Sequence, residues 1–215
     1  MENKWQVCIK EWICGDIIDA QDNKFIVGLT KGSFHLIALL PLVWLIFLVD
    51  TQRLGADPAK DIQHFTGIAA LRLLVIIVLI PLVAKLLRFT ALFQTRKLLG
   101  LWCFFWAVLH LSSYLLLEIG VNNLALFFEE IFSRLYLVIG AIAWLCLLLM
   151  AVSSFNRIRL YLGVWWKRIH MLLYPTLILA LCHYTLSLKT LTPEPFIYLA
   201  IVGSAFAYRM RSQQT

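Results

Sequence analysis

The chain contains no CxxC, no CxxCH and no GxGxxG. A disulfide framework, covalent haem attachment and a dinucleotide-binding turn are therefore all unsupported. Its five cysteines, Cys8, Cys14, Cys103, Cys146 and Cys182, are scattered, and three of them sit inside apolar runs. Charge is scarce as well, at 14% of residues, against 61% hydrophobic. Soluble domains run nearer half apolar and a quarter charged, so the composition is that of an integral membrane protein. Residues 1–31 mix acids and lysines without an uninterrupted apolar core, and no cleavable signal peptide is visible. The net charge of +7 does not point to nucleic acid, because the basic residues flank apolar runs and so report membrane topology.

What is present is a series of six apolar runs: Gly32–Val49, Ala69–Leu87, Leu98–Leu117, Leu135–Val152, Ile169–Leu188 and Phe196–Tyr208. A helix rising ~1.5 Å per residue needs roughly 17–25 residues to cross a bilayer core, and the sixth run is short for that. The expected fold is all-α, an integral membrane bundle of six transmembrane helices. Pro41, Pro81 and Pro175 fall within spans, where neighbouring helices can satisfy freed carbonyls. Lys4, Lys10, Lys24, Lys31, Lys85, Arg88, Arg96, Lys97, Arg157, Arg159, Lys167, Arg168, Arg209 and Arg211 fall on one side of these spans. Only Arg53, Lys60, Arg72, Arg134 and Lys189 fall on the other. Fourteen basic residues against five place both termini in the cytoplasm. The expected organisation is a cytoplasmic arm over 1–31, one membrane domain over 32–210 and a short cytoplasmic tail over 211–215, with no soluble domain.

The five histidines sort by depth. His110 lies twelve residues beyond Leu98, and His183 fifteen beyond Arg168, on spans running the same way. These positions are about 18 and 22 Å from the inner edge, whereas His170 is only about 3 Å in. Two imidazoles at one depth on two helices can clamp an iron porphyrin from both faces. The alternative is that each hydrogen-bonds a neighbouring carbonyl or hydroxyl. Arg96 precedes His110 by fourteen residues and shares its helix face; His170 precedes His183 by thirteen and does not, unless Pro175 changes the winding. A guanidinium is a poor iron ligand but a natural partner for a haem propionate, a flavin phosphate or a lipid phosphate.

Other residues carry weaker signals. Trp165 and Trp166 read as interfacial belt residues, and Trp106 and Tyr114 as candidates for packing against a porphyrin. Gly100 allows either a flat ligand or a close helix. Leu54–Gly67, "LGADPAKDIQHFTG", reads as a turn-rich loop, with His64 either a loop histidine or a docking, quinone or proton-handling residue. His35 reads as interfacial.

"LGADPAKDIQHFTG", "TRKLLGLWCFFWAVLHLSSY", "LGVNNLAL" and "WWKRIHMLLYPTLILALCHYTLSLK" together resemble the MsrQ family of bacterial haem-binding membrane subunits, within the ferric-reductase-like transmembrane superfamily. The resemblance covers about Phe34 to Tyr208 and implies an inner-membrane location. It also implies one haem b or two, a flavin mononucleotide (FMN), and electron delivery to a periplasmic molybdopterin-containing methionine-sulfoxide reductase that repairs proteins. The implied donor is the quinone pool or a cytoplasmic flavin reductase. By position, His110 and His183 match the family's outer haem ligands and His170 its third histidine. Arg96 stands where two-haem relatives have a histidine, which leaves the second haem open. The arm Met1–Leu29 has no counterpart in the resemblance. Since no dinucleotide fingerprint is present, donor and acceptor are expected in trans, the sulfoxide being reduced by the partner. A ferric or cupric reductase using a different acceptor is the alternative, and a haem-free transporter or scaffold a third.

Overall fold

The computed structural model of the chain describes residues 24–188 and 192–211. The expected arm therefore lies outside the described residues up to position 23, as do Lys189 and residues 212–215. The described residues form helices without strands: α1 (Lys24–Asp50), α2 (Pro58–Leu87), α3 (Arg96–Ser113), α4 (Leu124–Ser133), α5 (Leu135–Ser153), α6 (Asn156–Leu162), α7 (Val164–His170), α8 (Leu173–Ser187) and α9 (Glu194–Arg211). A 3-10 segment, Thr90–Thr95, leads into α3, and a wide π turn, Tyr114–Ile119, follows it. Five helical stretches are long and apolar enough to cross a membrane: Phe25–Asp50, Pro58–Leu87, Thr90–Ile119, Leu135–Ser153 and Val164–Ser187. The sixth apolar helix, over Glu194–Ala207, is shorter.

Many large apolar side chains stay uncovered. Leu36, Leu40, Trp44 and Ile46 on α1 are exposed, as are Leu135 and Leu149 on α5. That is the pattern of helices that face lipid, where packing rather than hydrophobic burial holds the bundle together. The exception is α2, half of whose most apolar window is buried. Leu71, Leu74, Val75, Ile77 and Val78 lie at the centre of the core, and Leu99, Trp106, Leu177 and Leu181 pack around them. The bundle is built from two antiparallel helix pairs, α2 with α3 and α5 with α8, which are its most extensive pairings.

Two local features depart from the sequence reading. The loop expected over Leu54–Gly67 is helical from Pro58 onward, because Asp57 caps the helix and Pro58 occupies its first turn. Asp57 accepts from the Lys60 backbone N–H at 3.3 Å, and Asp61 accepts from the Gly55 N–H at 2.7 Å. His64 is consequently a helical residue. The fifth span is broken at Met171–Leu172, between α7 and α8. Pro175 has no N–H to give the Met171 carbonyl, which instead receives the Tyr174 N–H three residues on, at 3.4 Å. Ideal helical phase therefore does not relate His170 to His183.

Candidate functional site

His110 on α3 and His183 on α8 face each other, with ring centres 6.1 Å apart and ring planes at 77°. Each ring is fixed by its Nδ1. His110 Nδ1 lies 2.9 Å from the Gln63 carbonyl oxygen on α2, and His183 Nδ1 lies 2.7 Å from the Tyr136 carbonyl oxygen on α5. A carbonyl only accepts, so in both rings Nδ1 carries the proton and donates it, and the lone pair is on Nε2. The hydrogen-bonding alternative for these histidines is met by Nδ1 in each ring, and it leaves the Nε2 lone pair of each uncommitted.

The separation of the ring centres is compatible with one metal ion held between the two imidazoles. Two imidazoles sharing one metal through Nε2, at about 2 Å each, place their ring centres about 6 Å apart. A carbonyl on the remote nitrogen is also the usual way a ligating histidine is oriented. Among the described residues no group of three or more His, Cys, Asp or Glu could hold a metal. A porphyrin iron would need only these two imidazoles from the chain.

Two glycines complete the arrangement. A Cβ on Gly67 would stand 3.0 Å from His110 Cε1, and one on Gly140 would stand 2.7 Å from His183 Nδ1. Each glycine lies four residues after the carbonyl that holds the ring it touches. Sequence reasoning missed both. The signal was there, since Gly67 to His110 and Gly140 to His183 are the same 43-residue interval.

Arg96 and His170 meet one helical segment away, about 20 Å along α3 from His110. They line a cavity of about 220 Å³ with Lys97, Arg159, Ser154 and Trp166. His170 Nδ1 lies 3.0 Å from the Trp166 carbonyl oxygen, and its Nε2 lies 3.4 Å from the Ser154 hydroxyl. Trp166 stacks on His170 with centres 4.4 Å apart, and the Arg159 guanidinium lies 4.6 Å over the Trp166 ring. Trp166 Nε1 is buried without a hydrogen-bond partner among the described residues. Trp166 is thus a cavity residue rather than the belt residue expected, whereas Trp165 is exposed beneath Arg168. Gly100 also lines this cavity, and a Cβ there would meet nothing. Three cations and an orphaned N–H suit a ligand that carries negative oxygen atoms.

Trp106 is fully buried and donates to the Ala38 carbonyl at 3.3 Å, which ties α3 to α1. His35 accepts from Trp102 Nε1 at 3.0 Å and serves the same contact. At the Asp57 end, His64, Arg53, Asp61, Arg72 and Glu194 line an open cup of about 350 Å³. Arg72 donates to Tyr198 at 2.9 Å and to Glu194 at 3.3 Å, and Tyr184 donates to Glu194 at 2.8 Å. This network joins α2, α8 and α9 beside the histidine pair.

The family model described as ferric reductase like transmembrane component matches residues 66–181. That stretch contains His110 of the pair and His170, and His183 stands two residues beyond its end. No solved structure gives a significant match to the chain.

Proposed function

The chain belongs to the ferric reductase-like transmembrane family, and from that premise we propose that it conducts single electrons across a bacterial inner membrane through haem b held by His110 and His183. The observation that carries this reading is the facing pair of imidazoles, 6.1 Å apart, each held by its Nδ1 on a backbone carbonyl. When bound there, haem supplies a ferric–ferrous couple. The chain's own contribution is orientation and exclusion of water. The Gln63 and Tyr136 carbonyls hold the Nδ1 protons in place, and buried Trp106 and Leu181, within one helical turn of His110 and His183, keep the surroundings apolar. A low dielectric of this kind favours the less charged state of a buried redox centre and so sets its potential.

The bias of basic residues supports six spans with both termini in the cytoplasm, α9 being the sixth. On that orientation the Arg96 cavity opens inward and the His64 cup outward. The inner cavity would take the entering electron on a second cofactor. His170 faces it, and Arg96, Lys97 and Arg159 suit the propionates of a second haem or the phosphate of FMN. The donor is the quinone pool or a cytoplasmic flavin reductase. The acceptor is a periplasmic molybdopterin-containing methionine-sulfoxide reductase, in which the protein-repair reaction takes place. The alternative acceptor is a metal ion reduced directly at the outer face, ferric as in the family's description or cupric.

The test is a haem-to-protein ratio with optical spectra on purified protein, together with His110→Ala and His183→Ala. The expected result is a low-spin bis-imidazole spectrum in the wild type, lost in both variants. Its retention in either variant refutes the ligand assignment. Reduction of the soluble sulfoxide reductase by membranes containing the chain, and its loss in these variants, separates that acceptor from metal ions.

A further inference from the structure

Of the glycines placed within described helices, Gly28, Gly32, Gly100 and Gly203 have nothing within 4 Å of an added Cβ. Gly67 and Gly140 alone among them meet a neighbour, and in both cases that neighbour is a histidine ring of the facing pair. Around each ring the same three parts recur in the same order. Gln63 supplies the carbonyl, Gly67 the gap and His110 the ring; Tyr136, Gly140 and His183 do the same 73 residues later. The matching parts lie on matching helix pairs, α2 with α3 and α5 with α8.

We infer that Gly67 and Gly140 are positioning residues, the second members of a duplicated carbonyl–glycine–histidine clamp that sets the angle between the two imidazole planes. A helical carbonyl is surrounded by the side chains of its own turn. A ring that reaches that carbonyl from another helix must pass close to the residue four positions on, which lies on the same face. Only a residue without a Cβ leaves that path open. The two halves differ in tightness. An alanine methyl at Gly140 would lie 2.7 Å from Nδ1 and 2.8 Å from Cε1 of His183, so the ring must turn or its carbonyl bond must break. At Gly67 the nearest approach is 3.0 Å, which a shift of a few tenths of an ångström relieves. The 77° between the planes is the quantity that either movement changes.

This inference rests on the haem-binding reading for its spectroscopic test, but not for its folding test. In the spectroscopic test, electron paramagnetic resonance of the ferric protein reads the interplanar angle, because the largest g-value rises as axial imidazoles approach perpendicular. Gly140→Ala is expected to shift that signal or lose the haem. Gly67→Ala is expected to keep the haem with a smaller shift, and Gly203→Ala to reproduce the wild type. Wild-type signals in both Gly67→Ala and Gly140→Ala overturn the inference. A wild type with no low-spin haem instead removes the reading beneath it and leaves the folding test to decide. That test is a double-mutant cycle on yield and thermal stability in detergent. Gly140→Ala should be harmful in the presence of the His183 ring and harmless in the His183→Ala background, including the case where the single variant does not accumulate. Equal harm in both backgrounds means the glycine serves helix packing alone, and the clamp is refuted.

Discussion

The orphaned indole of Trp166 gives a prediction whose sign depends on whether the Arg96 cavity is filled. In Trp166→Phe the stack on His170 and the face presented to Arg159 persist, while the buried Nε1–H is removed. With the cavity empty, that N–H is a desolvated donor without a partner, and such a group costs about 1–3 kcal/mol. Its removal should therefore stabilise the unloaded protein. Allowing about half of that gain to be lost to the smaller ring, the net is about 1 kcal/mol, or a rise of about 2–4 °C in thermal midpoint for a chain of this size. When a ligand oxygen accepts from Nε1, the same substitution deletes a hydrogen bond worth about 0.5–1.5 kcal/mol, which lowers affinity roughly 2- to 13-fold. The assay is thermal unfolding in detergent of protein prepared with and without haem and FMN, alongside cofactor titration. Destabilisation of the unloaded form by as much as the loaded form refutes the reasoning, since the N–H would then have a partner within the chain. Unchanged cofactor affinity refutes the cavity's role.

Three further outcomes follow from particular contacts. Trp106→Ala removes a fully buried indole and its bond to Ala38, and should cost about 3 kcal/mol or more, seen as a fall of at least about 6 °C in thermal midpoint. Glu194→Gln breaks an ion pair whose side chains are 58% and 41% exposed, so its effect should stay within about 1 kcal/mol, checked by the same melt. Asp57 has its carboxyl held below the usual range, chiefly by the Lys60 ammonium and then by the Lys60 N–H it caps. Its folded pKa is thus lower than its unfolded one. The contribution is present above the unfolded value, near pH 4, and fades as pH falls through the folded value. Melts of wild type and Asp57→Ala should therefore differ at neutral pH and converge in acid; a constant gap would contradict the cap.

The positions of the apolar helices and the depth match of His110 with His183 were legible because both depend only on distance along a helix. Rotation about the helix axis was not. In lipid the packed and the exposed faces are equally apolar, so nothing in Leu71 or Leu74 marks α2 as the central helix, and nothing in Leu36 marks α1 as peripheral. Trp166 failed for the same reason, since an indole at a helix end has the same composition whether it faces headgroups or a cavity. Arg159 was counted only as a topology signal, because its place over Trp166 depends on the turn between α6 and α7. The break at Met171–Leu172 was half legible: Pro175 announced that a carbonyl would go unpaired, but not whether the helix would bend or stop.

The repeat that builds the histidine pair does not extend to the basic cavity, and this difference bears on what each can hold. Advancing 73 residues carries Gln63, Gly67 and His110 onto Tyr136, Gly140 and His183, but carries Arg96 onto Ile169 and leaves His170 opposite Lys97. At the pair, each half contributes the same donor through the same backbone bond, which suits a ligand that presents two equivalent faces, such as a porphyrin iron. At the cavity, one half contributes Arg96 and Lys97 while the other contributes a stacked imidazole–indole pair with Arg159 across it. A guanidinium keeps its proton and offers no lone pair to a metal, so a ligand there meets cations from both halves but an imidazole from only one. Arg96→His would place a second imidazole in the cavity that His170 lines. If the missing lone pair is what separates the two sites, this variant should gain low-spin haem relative to the wild type while His110→Ala in the same background should retain part of it. No gain in the haem-to-protein ratio would place the difference in the cavity's shape instead.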